Sequence, residues 1–282
     1  MKKETQQKGP VEGIVGLNRP KVSHSEKFAK RLREQSGSMM DTYVAYNVTE
    51  NLLKECSRHG DYKIPQALEK KGEIPEDESG VHIGVGIGWW YESRPTLSPY
   101  LLLPEWQSRF MLIRTALGLR PSFNNWAQIT FIHMFMLQVR FRMLANPHAT
   151  TWIQHLTNHA FYAAEDRLVV WHKIHSASIR QKYLKDTFAQ WRGVLLAYDE
   201  GLMKGDAVLA AAIWRNLLSG KEDVDFEKLA QITAYMRREI RKLTLASDED
   251  AADGTWVFEG DPGDEAQSTN VVSRLMREGE GK

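Results

Sequence analysis

The segment PSFNNWAQITFIHMFMLQVRFRMLAN, residues 121–146, constrains the fold more than any other part of the chain. Thirteen of the nineteen residues from 126 to 144 are apolar, and they leave no clean polar face. A helix of that kind must be covered all round, by lipid or by other helices. Lipid does not suit it. Its longest unbroken apolar run is Met134–Leu137, and Gln138, Arg140 and Arg142 would sit in hydrocarbon. The segment is therefore expected to be the buried central helix of a bundle, with its neighbours supplied by the rest of the chain.

Those neighbours show in the spacing. DTYVAYNVTENLLKEC (41–56) places Val44, Val48 and Leu52 on one stripe, with Asp41 as the expected N-cap. PEWQSRFMLIRTALG has Pro104 in the first turn and Gly118 at the end, a normal helix frame. A helix over 149–172 follows. The clearest one covers 176–204, where Ile179, Tyr183, Leu184, Phe188, Trp191, Val194, Leu195, Tyr198 and Leu202 recur every three or four residues. Gly205 ends it, and Asp206 is expected to cap AVLAAAIWRNLL, which is apolar nearly all round and so expected to be buried. DFEKLAQITAYMRREIRKLTLA (225–246) makes a last amphipathic helix. The fold class that results is all-α, a bundle of about six helices with a less regular N-terminal region. The expected organisation is a flexible segment 1–40 with a short helix from Ser25, a helix and irregular lobe over 41–103, a helical domain over 104–246, and an acidic, Gly-rich tail over 247–282 read as disordered. Within the irregular lobe, GVHIGVGIGWW reads as a short strand or a loop.

Charge is distributed unevenly. Residues 105–246 carry a net +7 and residues 247–282 a net −7, against a whole-chain balance of +1. A basic body suits an anionic partner such as RNA, a ribosome or a lipid surface, and equally a solvated body with a solubilising tail. Lys182, Lys185 and Arg192 fall opposite the apolar stripe of helix 176–204, and MRREIRK adds Arg237, Arg238, Arg241 and Lys242. These are the expected basic surface. The one cysteine, Cys56, rules out an internal disulfide and fits a reducing compartment. The N-terminus has no apolar run of the secretory kind, and Glu4 and Glu12 make it a poor match to a mitochondrial presequence.

The motifs that point to catalysis fail on geometry. In HLTNHAFYAAEDRL, His155, His159, Tyr162 and Asp166 share a stripe, but His155 and Asp166 are separated by about 16 Å of helix rise. Metal–ligand bonds of about 2 Å cannot span that. Neither Glu-x-x-His nor HExxH occurs, so a helix–helix seam is the better reading. GVGIG lacks the third glycine of a dinucleotide loop, there is no GxSxG, and Cys56 sits alone on a helix. No catalytic, cofactor-binding or metal-binding residue is expected. Trp126, Met134, Met136, Met143 and Trp152 are read as core, or as lining for an apolar client helix.

YLKDTFAQWRGVLLAYDEGLMKGDAVLAAAIWRNLL (183–218) is far more specific than these. It resembles the signature of the ubiquinol–cytochrome c chaperone family, assembly factors for respiratory complex III, in its eukaryotic, fungal-like form. NWAQITFIHMFMLQVRFRML (125–144) and QHLTNHAFYAAEDRL (154–168) resemble the same family in the same order. The resemblance implies a non-enzymatic chaperone acting at the matrix side of the mitochondrial inner membrane, in peripheral contact with it. It implies three partners: a small assembly-factor subunit, newly made cytochrome b and the mitochondrial ribosome. Within the signature, Arg192, Tyr198, Asp199, Glu200, Asp206, Trp214 and Arg215 are the candidate partner- or client-binding residues. Carboxylates at Asp199 and Glu200 sit near a helix C-terminus, where the dipole disfavours them, so each is expected to have a partner. Arg192, Arg215 and an external subunit are the candidates. Two alternatives remain: a helical metal- or haem-handling enzyme built on the His-rich segment 133–175, and a general mitoribosome-associated RNA binder.

Overall fold

The structure, a computed structural model, describes residues 38–69, 72–86, 88–91, 117–145 and 148–269. The chain divides into two units, Met1–Thr42 and Tyr43–Lys282, and all but the first five described residues belong to the second. The predicted helix from Ser25 lies outside the described residues, as does all but the end of the predicted helix 104–118.

The fold is all-α. Helix α1 (Ser38–Arg58) starts before Asp41, which therefore lies inside it and is not its cap. Its buried residues Ala45, Val48, Leu52, Leu53 and Cys56 keep the helical spacing of the expected stripe. A two-stranded antiparallel sheet follows: β1 (Tyr62–Lys63) pairs with β2 (Val85–Gly86), Tyr62 opposite Gly86 and Lys63 opposite Val85. Gly84 and Gly86 of GVGIG serve this packing. Gly84 donates to Pro121 O at 2.8 Å, and a Cβ at Gly86 would strike the Tyr91 ring. Trp89, Trp90 and Tyr91 then enter the core, and residues 117–119 run beside them, with Leu119 N donating to Trp90 O at 3.1 Å.

Helix α2 (Phe123–Phe141) occupies the centre, and fifteen of its nineteen residues are buried. Ser122 caps it by accepting from Asn125 N. Around it stand α3 (His148–Val170), α4 (Ala177–Lys204), α5 (Asp206–Asn216) and α6 (Phe226–Leu245), with α2 packed on α3, α4 and α6, and α5 packed on α4 and α6. Asp225 caps α6 through Glu227 N and Lys228 N. Helix α5 buries one face, Leu209, Ala212 and Ile213, and leaves most of the rest partly covered. No described helix is long and apolar enough to cross a membrane.

The tail departs from expectation. Disorder was expected from Ser247, yet the chain continues through α7 (Asp248–Ala252), a 3-10 turn (Pro262–Glu265) and α8 (Ala266–Thr269), the last two packed along α6. Phe258 is 1% exposed, seated edge-on to His133 at 4.9 Å, and its N–H donates to Glu55 Oε1 at 3.0 Å. Phe258 enters the core and Trp256 packs half-buried against it, and this apolar burial outweighs the acidic composition around them, while Val257 between them stays exposed. Residues 270–282 lie outside the described residues.

Candidate functional site

Of the candidate residues, Tyr198, Asp199, Glu200 and Asp206 lie near the point where α4 turns into α5; Arg192 stands more than three helical turns earlier, and Trp214 and Arg215 lie at the far end of α5. Gly205 makes this turn with φ 110° and ψ 176°, a backbone conformation closed to residues with a Cβ. Gly201, one turn earlier, brings the two helices together: a Cβ there would lie 2.5 Å from Leu209 Cα. The expected Asp206 cap is absent. Gly205 occupies the N-cap, and Asp206 Oδ1 instead accepts from Arg237 Nε at 2.7 Å. The same guanidinium donates to Gly201 O at 3.2 Å and Leu202 O at 3.3 Å. Arg237 thus satisfies the C-terminal carbonyls of α4, where a cation is favoured by the dipole, and ties α6 to both helices of the turn.

The carboxylates of the signature also find partners within the chain. Asp199 pairs with Arg142 at 2.6 Å, joining α4 to the end of α2. Glu200 pairs with Lys204 at 2.6 Å; this pair holds its carboxyl below the ordinary range, and the Arg215 charge adds weakly. Neither Arg192 nor Arg215 has an ion-pair partner among the described residues, and both are exposed. Tyr198 is fully buried, edge-on to Phe135, and burial raises its phenol pKa. Trp214 Nε1 donates to Lys221 O at 2.7 Å and braces the loop into α6.

The expected basic surface divides in two. Lys182, Lys185, Arg192 and Arg241 are exposed. Arg237, Arg238 and Lys242 are engaged internally, which corrects their reading as a free surface. Arg238 meets Glu239 at 2.9 Å, Glu265, and Glu259 O at 2.7 Å, and Lys242 meets Glu239 at 2.9 Å and Glu259 at 3.3 Å. Tail carboxylates therefore pair with Arg238 and Lys242, and Glu239 of α6 itself is wholly buried between these two cations.

The histidines have separate roles. His159 Nε2 donates to Tyr46 O at 2.9 Å, and His155 packs edge-on to the Tyr46 ring, so this pair forms an α1–α3 seam. His133 donates from Nδ1 to Ile129 O at 2.8 Å, accepts from Tyr235 OH at 2.9 Å and stacks on His59 at 4.3 Å. Burial lowers its pKa, so it stays neutral. A second chain runs from Tyr62 OH to His172 Nε2 at 2.5 Å, then between His172 Nδ1 and His82 Nδ1 at 3.0 Å, and on to Glu76 at 3.3 Å. Burial, then the nearby His82, brings His172 down to about 4. Among the described residues no three ligating side chains converge on a point where a metal would sit.

Sequence comparison gives this architecture its relatives. Residues 115–258, from just before α2 to the buried Phe258, match the family model described as Ubiquinol-cytochrome C chaperone. Over 142 residues the chain is 36% identical to Protein CBP3, mitochondrial, of Saccharomyces cerevisiae, which covers 50% of this chain and 42% of that protein. It is 27% identical over 133 residues to Ubiquinol-cytochrome-c reductase complex assembly factor 1 of Xenopus laevis, 47% of this chain and 64% of the relative. It is 25% identical over 130 residues to the Drosophila melanogaster protein of the same description, 45% and 49% of the two chains. The matches thus span roughly half the length of these relatives. No solved structure matches the chain. A helical core that is matched from one end to the other, signature turn included, places this chain in the ubiquinol–cytochrome c chaperone family.

Proposed function

We propose that this protein is a mitochondrial assembly chaperone for respiratory complex III, and that it performs no chemistry of its own. The observation that carries the reading is the family match over 115–258, which takes in the whole α2–α6 core and the tail segment that locks it. The names of the relatives, one mitochondrial and others assembly factors of the ubiquinol–cytochrome c reductase complex, support the same assignment. In this reading the client is newly made cytochrome b, received near the mitochondrial ribosome on the matrix side of the inner membrane together with a small assembly-factor subunit. The exposed members of the signature, Arg192, Glu200, Asp206 and Arg215, are the proposed contacts, with Tyr198 anchoring α4 on α2 and Trp214 bracing the loop into α6.

The test is crosslinking with mass spectrometry in mitochondria during synthesis of cytochrome b. The expected result is a set of crosslinks between this chain and nascent cytochrome b that disappears when translation of cytochrome b is blocked. Crosslinks to many mitochondrial RNAs or unrelated proteins, with none to cytochrome b, would sink the reading.

A further inference from the structure

Helix α4 has one face that none of the described residues covers. At 100° per residue, Lys182, Lys185, Arg192, Gly193, Leu196 and Met203 fall within a sector about 100° wide, opposite the buried Trp191, Val194 and Tyr198. Leu196 is 75% exposed and Met203 86%. The three cations have no ion-pair partner among the described residues, and Glu200, which shares the sector, is occupied by Lys204. With exposed Asp186 just outside the sector, the face therefore carries a net positive charge towards its N-terminal end and bare apolar surface at its C-terminal end, along about 32 Å of helix.

Gly193 narrows the choice of what covers it. Glycine in the middle of a helix lowers helix stability, and a Cβ here would meet nothing within 4 Å. No contact among the described residues requires it. A bare Cα on an exposed helix face admits the close approach of a second helix, whose axis normally lies 8–10 Å away. A lipid headgroup layer or a nucleic-acid backbone has no such need.

We propose that this face receives an acidic amphipathic helix of a partner protein. The helix would cross near Gly193, set apolar side chains on Leu196 and Met203, and place carboxylates against Lys182, Lys185 and Arg192. Complementary charge of this kind sets register and selects the partner. The inference rests on the chaperone reading and deepens it by giving the chemistry of the docked segment.

The experiment places a benzoyl-phenylalanine crosslinker at position 196 of the full chain, expressed in mitochondria of yeast lacking CBP3, and sequences the adducts. The expected adduct is a segment with helical spacing of apolar residues and an excess of Asp and Glu. Its yield should fall at least tenfold in K182E/K185E/R192E and in G193L, both with unchanged circular dichroism. An adduct to lipid or RNA, to a protein segment without acidic excess, or undiminished in both variants overturns the proposal. Complex III content in the same cells separates the two claims. If the wild-type chain fails to restore it, the chaperone reading fails. If wild type and both face variants restore it equally, only the docking proposal fails.

Discussion

Two glycines on one helix make a matched pair. Gly201 and Gly193 are eight residues apart on α4, and replacing either with alanine gains the same intrinsic helix stability, about 1 kcal/mol. Their surroundings are opposite. The added methyl at Gly193 meets open space, whereas at Gly201 it meets Leu209 Cα at 2.5 Å, Leu209 Cβ at 2.8 Å and Leu209 N at 2.9 Å. Backbone atoms cannot rotate aside, so α4 and α5 must separate. Overpacking costs roughly 1–3 kcal/mol, and a clash with main chain belongs at the upper end of that range. Gly193→Ala should therefore stabilise by about 1 kcal/mol, and Gly201→Ala should destabilise by about 2 kcal/mol after the propensity gain. For a domain of this size that corresponds to about 2–4 °C upward in Tm for the first and about 4–8 °C downward for the second. Thermal unfolding followed by circular dichroism, with urea titration as a check, reads both. Equal shifts of the same sign would refute the close α4–α5 packing on which the turn depends.

Other perturbations test other joints. Phe258→Ala should cost about 3–5 kcal/mol in urea unfolding, as for a core aromatic, and a change under 1 kcal/mol would mean that the tail does not lock the core. Arg237→Ala removes the donors to Gly201 O, Leu202 O and Asp206, and should destabilise by about 1–2 kcal/mol, less at high salt because the site is partly exposed; no change would show that water replaces the guanidinium. Stability should also depend on acid in two steps. His133 and His172 have depressed pKa values in the folded state, so the unfolded chain binds more protons once the pH drops below about 6.5. Their contribution is complete above that pH and is lost as the pH falls, by about pH 4 for His172. Glu55 follows: burial pushes it up, but hydrogen bonds from Arg58, His59 and Phe258 N bring it to about 2, so its share is lost between about 4.5 and 2. A urea midpoint that stays flat from pH 7 to 4 would contradict the buried-neutral histidines.

What could be read from the sequence was periodic, and what was missed was tertiary. The helix at 177–204 announces itself because its apolar spacing repeats over more than five turns, and the buried helix at 123–141 because apolar residues surround it on every side. Asp206 looked like a cap because Asp commonly is one. Its actual partner, Arg237, is thirty-one residues away, and no local pattern connects them. Arg238 and Lys242 looked like free surface for a related reason: besides Glu239 of the same helix, their partners Glu265 and Glu259 sit in the tail, whose acidic composition concealed Phe258. The apolar stripe of helix 177–204 was only half spent on the core. Ile179, Tyr183 and Phe188 keep 45–49% exposure, a difference that spacing alone cannot register. The histidine stripe of 155–166 was legible as non-chelating because rise along a helix is fixed, but that His159 would bond to Tyr46 O required knowing that α1 lies beside it.

The chaperone assignment meets its most direct test in yeast lacking CBP3. The full chain, fused to a mitochondrial presequence and shown to accumulate folded, would be expressed there, and assembled complex III measured by native electrophoresis together with the reduced cytochrome b absorbance. Both are expected to rise well above those of cells carrying empty vector. Abundant folded protein in the matrix with complex III unchanged from the empty-vector level would contradict it.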